Sequence, residues 1–183
     1  MRKAERGVHF TARNQYVRMC IAKALIHLLE NKGLEEITIT ALTKAANVSR
    51  MTFYKYYMTK HDVLEDYMYE LMNAYMEAAS RRTDIGHFQE PKHISHCFHF
   101  FKEHGKEIMI LVKANMYSVL IDTINDYMDQ YVLPESQYSR YELYYYAGAL
   151  CNIYIKWLEG GMTETPEEIA TIVYKHTIHS YAK

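Results

Sequence analysis

The sequence predicts an all-α protein, on three observations. Helix breakers are scarce, with 7 Gly and 3 Pro in 183 residues, while Leu, Met, Ala, Glu and Lys, all good helix formers, are plentiful. Apolar residues recur at three- and four-residue steps, beginning with Val17, Ile21, Ala24, Leu25 and Leu28, which gives helices with one greasy face. The punctuation between segments is that of helices, with Ser or Thr ahead of a segment and Gly or Pro behind it. The expected organisation is a three-helix, helix-turn-helix module over 1–58 and a helical bundle over 59–183, about nine helices in total.

The most informative stretch runs from Gly33 to Leu64. Ile39–Ala46 and Arg50–Tyr57 are short amphipathic segments separated by the tight Asn47-Val48-Ser49 connection, the size and spacing of a helix-turn-helix. Thr38 and Ser49 stand where a hydroxyl can accept from the free N–H groups of each helix start. Leu42, Ala45, Val48 and Phe53 are expected to form the seam between the two helices, leaving Arg50, Met51, Thr52, Lys55 and Tyr56 near the outward face. A basic, hydroxyl-rich helix start suits a duplex: Arg pairs with guanine edges, and Thr and Tyr hydroxyls reach bases or phosphates.

The run Ile-Thr-Ile-Thr-Ala-Leu-Thr-Lys-Ala-Ala-Asn-Val-Ser-Arg-Met-Thr-Phe-Tyr-Lys-Tyr-Tyr, with Lys60 following, resembles the TetR family of bacterial transcriptional regulators. Ala46, Val48, Ser49, Thr52, Phe53, Tyr54, Tyr56, Tyr57 and Lys60 fit the family pattern. Asn47 stands where the family usually has Gly, and Asn tolerates the left-handed backbone of such a turn. Ala41 stands where an acidic residue often helps the cap. The resemblance implies a pseudo-palindromic double-stranded DNA operator, with Arg50, Thr52 and Lys55 on base edges. Thr38, Thr40, Lys44, Tyr54, Tyr56 and Lys60 would position phosphates, and Ser49 and Met51 belong to the same surface. It further implies a homodimer built on the last two long helices, and a repressor released by a small-molecule effector of unknown identity. Effector in the bundle would tilt the helix that opens at Lys60 and change the spacing of the two DNA-binding heads. The alternative is an activator or co-activator answering to a protein partner.

Charge agrees with a polyanion at the front. Residues 1–60 carry 11 Lys and Arg against 4 Asp and Glu (+7), and residues 61–183 carry 10 against 18 (−8). Cys20, Cys97 and Cys151 are odd in number and widely spaced, as expected of free thiols in a reducing cytoplasm. No stretch has the length of a signal peptide or a membrane span, so no membrane partner is expected.

Arg2, Lys3 and Arg6 read as a solvated tail rather than a groove-binding arm. The first helix is expected over 11–32, capped by Thr11 and stopped by Gly33. Thr59 and Asp62 form a capping-box variant for the next, which continues to about Ala79. A loop over 81–91 precedes helices at 92–103 (ended by Gly105), 107–113, and 115–131 (stopped by Pro134). Residues 137–159 are apolar nearly all round, and such a helix needs cover on every side, which a second subunit supplies. Gly148 in its middle marks a close approach. Gly160-Gly161 ends it, and Thr165-Pro166-Glu167-Glu168 starts the last helix. Tyr141, Tyr145, Gly148, Ile155, Ile169, Ile172 and Val173 are the expected dimer interface.

His93, His96, Cys97, His99 and His104 invite a zinc reading, but no carboxylate falls at a matching step, so they read as a solvated or pocket-lining face. Asp122, Asp126 and Asp129 form one row with no second row to complete a magnesium site, and read as a solvated face. No metal and no cofactor are expected. His96, Phe100, Met109, Met116, Tyr117, Tyr144 and Trp157 are the candidates for lining an effector cavity. No nucleophile–base pair, Gly-rich phosphate loop or paired-acid motif occurs, so an enzyme is not expected.

Overall fold

The computed structural model describes residues 12–178. They form nine α-helices and no strand: α1 Ala12–Leu29, α2 Ile39–Ala45, α3 Arg50–Tyr56, α4 Lys60–Ser80, α5 Pro91–Lys102, α6 Gly105–Lys113, α7 Tyr117–Tyr127, α8 Arg140–Glu159 and α9 Pro166–Ile178. The chain divides into two compact units between Met68 and Tyr69, inside α4. Thr11 and the basic residues Arg2, Lys3 and Arg6 lie outside the described residues.

The first unit closes around Ile21, Leu25, Ile37, Leu42, Phe53, Val63 and Leu64, all essentially without solvent contact. Helix α1 buries Ala22, Ile26 and Leu29 beside Ile21 and Leu25, whereas Val17, Ala24 and Leu28 are only half-buried. It stops at Leu29, ahead of Gly33, which is extended and opens a 3-10 turn, Leu34–Glu36; the Glu36 carboxylate accepts from the Gly33 N–H at 2.8 Å. Helix α4 begins as expected, with Asp62 N–H donating to Thr59 Oγ1 (3.1 Å) and Thr59 N–H to Asp62 Oδ2 (3.0 Å).

In the second unit α9 lies along α5, its most extensive helix pair, and α8 packs on α7 and α6. Ile94, Phe98, Leu143, Tyr146, Ala147, Trp157, Ile169 and Val173 share one core cluster. A second gathers Met72, Tyr75, Ala79 and Ile85, with Cys97, Phe100, Phe101 and Tyr127 against it. Gly105 does not end a helix but starts α6; a Cβ there would lie 2.8 Å from Leu158 Cδ2, so the small residue lets α6 sit against α8. Helix α7 is shorter than the periodicity suggests. At its start Asn115 is left-handed (φ 59°), and Met116 N–H donates back to Leu111 O (2.9 Å), closing α6 in a Schellman turn. At its end the ladder widens to a π-turn, Met128–Val132, before Pro134, which offers no N–H and whose ring crowds the carbonyl four residues back. Glu168 N–H donates to Thr165 Oγ1 (3.2 Å) and Thr165 N–H to Glu168 Oε2 (2.7 Å), the reciprocal cap that fixes where α9 begins. No described helix is long and apolar enough to cross a membrane.

Candidate nucleic-acid interface

The turn between α2 and α3 is built by Asn47 and Ser49. Asn47 takes φ 53°, Asn47 N–H donates to Lys44 O (3.2 Å) and Val48 N–H to Thr43 O (3.0 Å), a Schellman closure with Asn in the left-handed seat. Ser49 then caps α3, its hydroxyl accepting from Thr52 N–H at 3.0 Å. Thr38 caps α2 in the same way, accepting from Ala41 N–H at 3.1 Å, with no acidic residue needed at Ala41. Phe53 is the buried anchor of α3, and Leu42 is the matching residue of α2. Val48 is half-buried, while Ala45 is exposed and takes no part in the seam.

With Phe53 turned inward, Arg50, Met51, Tyr54 and Lys55 are exposed, and Met51 reaches 85% exposure. Met51, Tyr54 and Lys55 stand three and four apart, on one face. Lys55 Nζ lies 5.3 Å from the centre of the Tyr56 ring. Thr40 and Lys44 are exposed on α2. Other expected contacts already have intramolecular work. The Thr52 hydroxyl is 2.8 Å from Ser49 Oγ, and Tyr56 donates its hydroxyl to Asn14 Oδ1 at 2.8 Å.

Lys60 departs most from expectation. Its ammonium donates to the carbonyls of Leu34 and, at 2.8 Å, Ile37. The charge is taken up by carbonyls at the end of the 3-10 turn, where Leu34 O also accepts from Ile37 N–H at 3.2 Å. Lys60→Met should therefore destabilise the first unit by roughly 1.5–3 kcal/mol, the range for charged hydrogen bonds, seen as a lower thermal midpoint. The salt slope of DNA binding should not change, which titrations at several salt concentrations measure.

A polar triad that the sequence did not disclose holds α3 on its support. Arg18 of α1, 6% exposed, forms a two-pronged pair with Asp66 of α4, Nε donating to Oδ2 at 2.8 Å and Nη2 to Oδ1. Tyr57, the residue that ends α3, donates its hydroxyl to Asp66 Oδ2 at 2.6 Å. Burial works against the Arg18 charge, but the bonds to Asp66 outweigh it and raise its pKa. Burial, then the neighbouring Asp66 charge, raises that of Tyr57. Asp66 lies 48 positions from Arg18, and no sequence periodicity links the two.

In the second unit the expected effector residues separate. His96 and Phe100 gather on Tyr75, with ring centres 6.0 and 5.5 Å away; His96 Nε2 is buried with no hydrogen-bond partner among the described residues. Trp157 is a core residue, 4% exposed, stacked edge-on with Phe98 and donating Nε1–H to Glu164 O at 2.9 Å. Tyr144 donates to Asp129 Oδ2 at 2.7 Å, Tyr117 is exposed, and Met109 and Met116 are half-buried. Asp126 and Asp129 are not a solvated row: they are half-buried and accept from Tyr69 and Tyr144, and Asp129 also meets Arg140 Nε at 3.0 Å. Asp122 is exposed.

The histidines take different partners. His93 Nδ1 lies 3.2 Å from Gly86 O, and His99 Nε2 lies 2.8 Å from Glu167 Oε1, which also accepts from Ser95. Among the described residues no three His, Cys, Asp or Glu side chains are placed to hold a metal. Burial lowers the pKa of His93 against the bond to Gly86 O, and burial followed by nearby Arg82 lowers that of His96. The unfolded chain then takes up these protons first. Stability is full above about pH 6.5, the usual histidine value, and falls as pH drops below it, levelling off under the folded pKa. Replacing both residues with Gln should flatten the thermal midpoint between pH 7.5 and 5.5.

Of the expected interface residues, Tyr141 (80%), Tyr145 (71%) and Ile172 (49%) are exposed on α8 and α9, and a Cβ on Gly148 would meet nothing within 4 Å among the described residues. Ile155, Ile169 and Val173 face inward; the last two belong to the subunit's own core cluster. They are a correction to the expected interface, because a helix apolar on several faces spends one of them on its own fold.

Residues 21–67 match the family described as bacterial regulatory proteins, tetR family, and residues 89–178 match a transcriptional regulator C-terminal region of that family. No curated protein matches the sequence. Similar solved structures include Lin0861 from Listeria innocua, with TM-score 0.80, 15% identity and 94% of each chain covered. The fatty acid degradation regulator FadR from Bacillus halodurans has TM-score 0.55 and 15% identity over 86% of this chain and 95% of that one. The dihydroxyacetone kinase operon activator DhaS has TM-score 0.53 and 18% identity over 90% and 95%. At such identities the likeness speaks for the fold alone. The two family matches, the nine-helix fold and the helix-turn-helix that carries α3 agree: the chain belongs to the TetR family and is a transcriptional regulator.

Proposed function

We propose that the protein is a dimeric repressor that grips a pseudo-palindromic DNA operator through α3 of each subunit and lets go when a small molecule enters the second unit. The observation that carries this reading is the exposed face of α3, where Arg50, Met51, Tyr54 and Lys55 project from a helix anchored by buried Phe53. Arg50 and Lys55 are the base readers; Thr40, Lys44 and the Tyr54 hydroxyl set the register on phosphates. The exposed Tyr141, Tyr145 and Ile172 support a partner subunit, since a two-fold axis presents the same patch twice. The aromatic cluster on Tyr75, with one buried imidazole nitrogen on His96, supports an apolar effector with a single polar end. Helix α4 belongs to both units, and the two binding events oppose each other reciprocally.

Selection from random duplex DNA with the full chain tests the reading. Enrichment of an inverted repeat supports it; recovery of unenriched sequence contradicts it. On the enriched duplex, Arg50→Ala should cost on the order of 1–3 kcal/mol per half-site and relax preference at one base position.

A further inference from the structure

We infer that Met51 is a specificity residue that reads the 5-methyl group of thymine, so that each operator half-site carries a thymine opposite the start of α3; this rests on the DNA-binding reading above. Among the described residues of the first unit, Met51 is the most exposed large apolar side chain, ahead of Tyr16 (71%), Met58 (68%) and Tyr54 (53%). A single exposed apolar residue is ordinary in itself. Its place is what matters: second residue of α3, directly after Arg50 and on the same face as Tyr54 and Lys55.

The neighbours narrow the roles. The Thr52 hydroxyl is engaged by Ser49, Tyr56 by Asn14, and Lys55 leans over the Tyr56 ring. Between the cations of Arg50 and Lys55, the part of the face nearest the helix start is therefore an unbranched thioether, which neither donates usefully nor carries charge. The major groove has one apolar feature, the thymine methyl group. Set against the cytosine amino group or a guanine acceptor, the same side chain would strip water from a polar edge and return no hydrogen bond. Against the methyl group it loses only water that both partners shed favourably, and its flexible chain adapts to the groove. Arg50 supplies attraction and reads an adjacent guanine; Met51 supplies discrimination by excluding polar edges.

The test uses the full chain and the duplex enriched by selection, with each symmetric thymine pair replaced in turn by deoxyuridine, which removes the methyl group and nothing else. The expected result is one thymine pair whose replacement weakens wild-type binding roughly fourfold per half-site, the value of burying one methyl-sized group. Met51→Ala, an exposed position where folding is unaffected, should bind the two duplexes equally. If no thymine shows the loss, or if Met51→Ala remains equally sensitive, the inference is overturned while the DNA-binding reading stands. If selection enriches no duplex, both fall.

Discussion

Asp66→Ala is expected to destabilise the first unit by roughly 1.5–3 kcal/mol, because the half-buried carboxylate accepts two charged hydrogen bonds from Arg18 and one from Tyr57. Arg18 would keep its charge with the carboxylate gone, in a position where the residue is 6% exposed. The Tyr57 hydroxyl would lose its acceptor, and with it the tie that fixes the end of α3. Stability of this size is a large part of what a small unit has. Denaturant unfolding should show the loss directly, and DNA binding should vanish without any change at the α3 surface. The repair separates electrostatics from packing. Arg18→Met with Asp66→Leu and Tyr57→Phe removes every member of the triad together, and apolar replacement of a buried network is often neutral or better. Unfolding free energy should return; a triple variant as unstable as Asp66→Ala would show that the triad does more than satisfy itself.

Tyr145→Glu is expected to leave the subunit folded and to break the dimer proposed above. The side chain is 71% exposed, so the monomer loses little. At a two-fold contact the substitution faces its own copy, and like charges brought together cost several kcal/mol. In the proposed dimer the two heads would act at an effective concentration near millimolar, and separating them should cut operator affinity about 10²–10⁴-fold. Sedimentation velocity and operator titration on the same preparation report both effects. Gly148 gives a second reading of the surface. Among the described residues nothing lies within 4 Å of a Cβ there, so Gly148→Ala should raise monomer stability by about 1 kcal/mol. If a partner helix crosses at that point, the same methyl group weakens the dimer. Stabilisation without any loss of association would place the contact elsewhere on α8.

Local chemistry was legible in the sequence, and long-range chemistry was not. The caps at Thr38, Ser49, Thr59 and Thr165 follow from residue type and spacing, and each makes the bond its position predicts. Asn47 sits left-handed in the turn where glycine usually stands. The Arg18–Asp66–Tyr57 triad joins three helices across a separation that carries no periodic signal. The resemblance implies a phosphate contact at Lys60; the 3-10 turn whose carbonyls also take its ammonium is only Leu34–Glu36 and leaves almost no pattern. Apolar periodicity locates α8 and α9 but does not separate their internal from their external faces, so Ile169 and Val173, buried in the core, share a stripe with the exposed Ile172.

Methylation interference on the selected duplex bears most directly on the claim that α3 enters the major groove. Dimethyl sulfate marks guanine N7 in the major groove and adenine N3 in the minor groove. The expected pattern is two clusters of guanine N7 interference on one face of the duplex, about one helical turn apart or a multiple of it, each weakened by Arg50→Ala. Interference confined to adenine N3, or none at either groove, would contradict it.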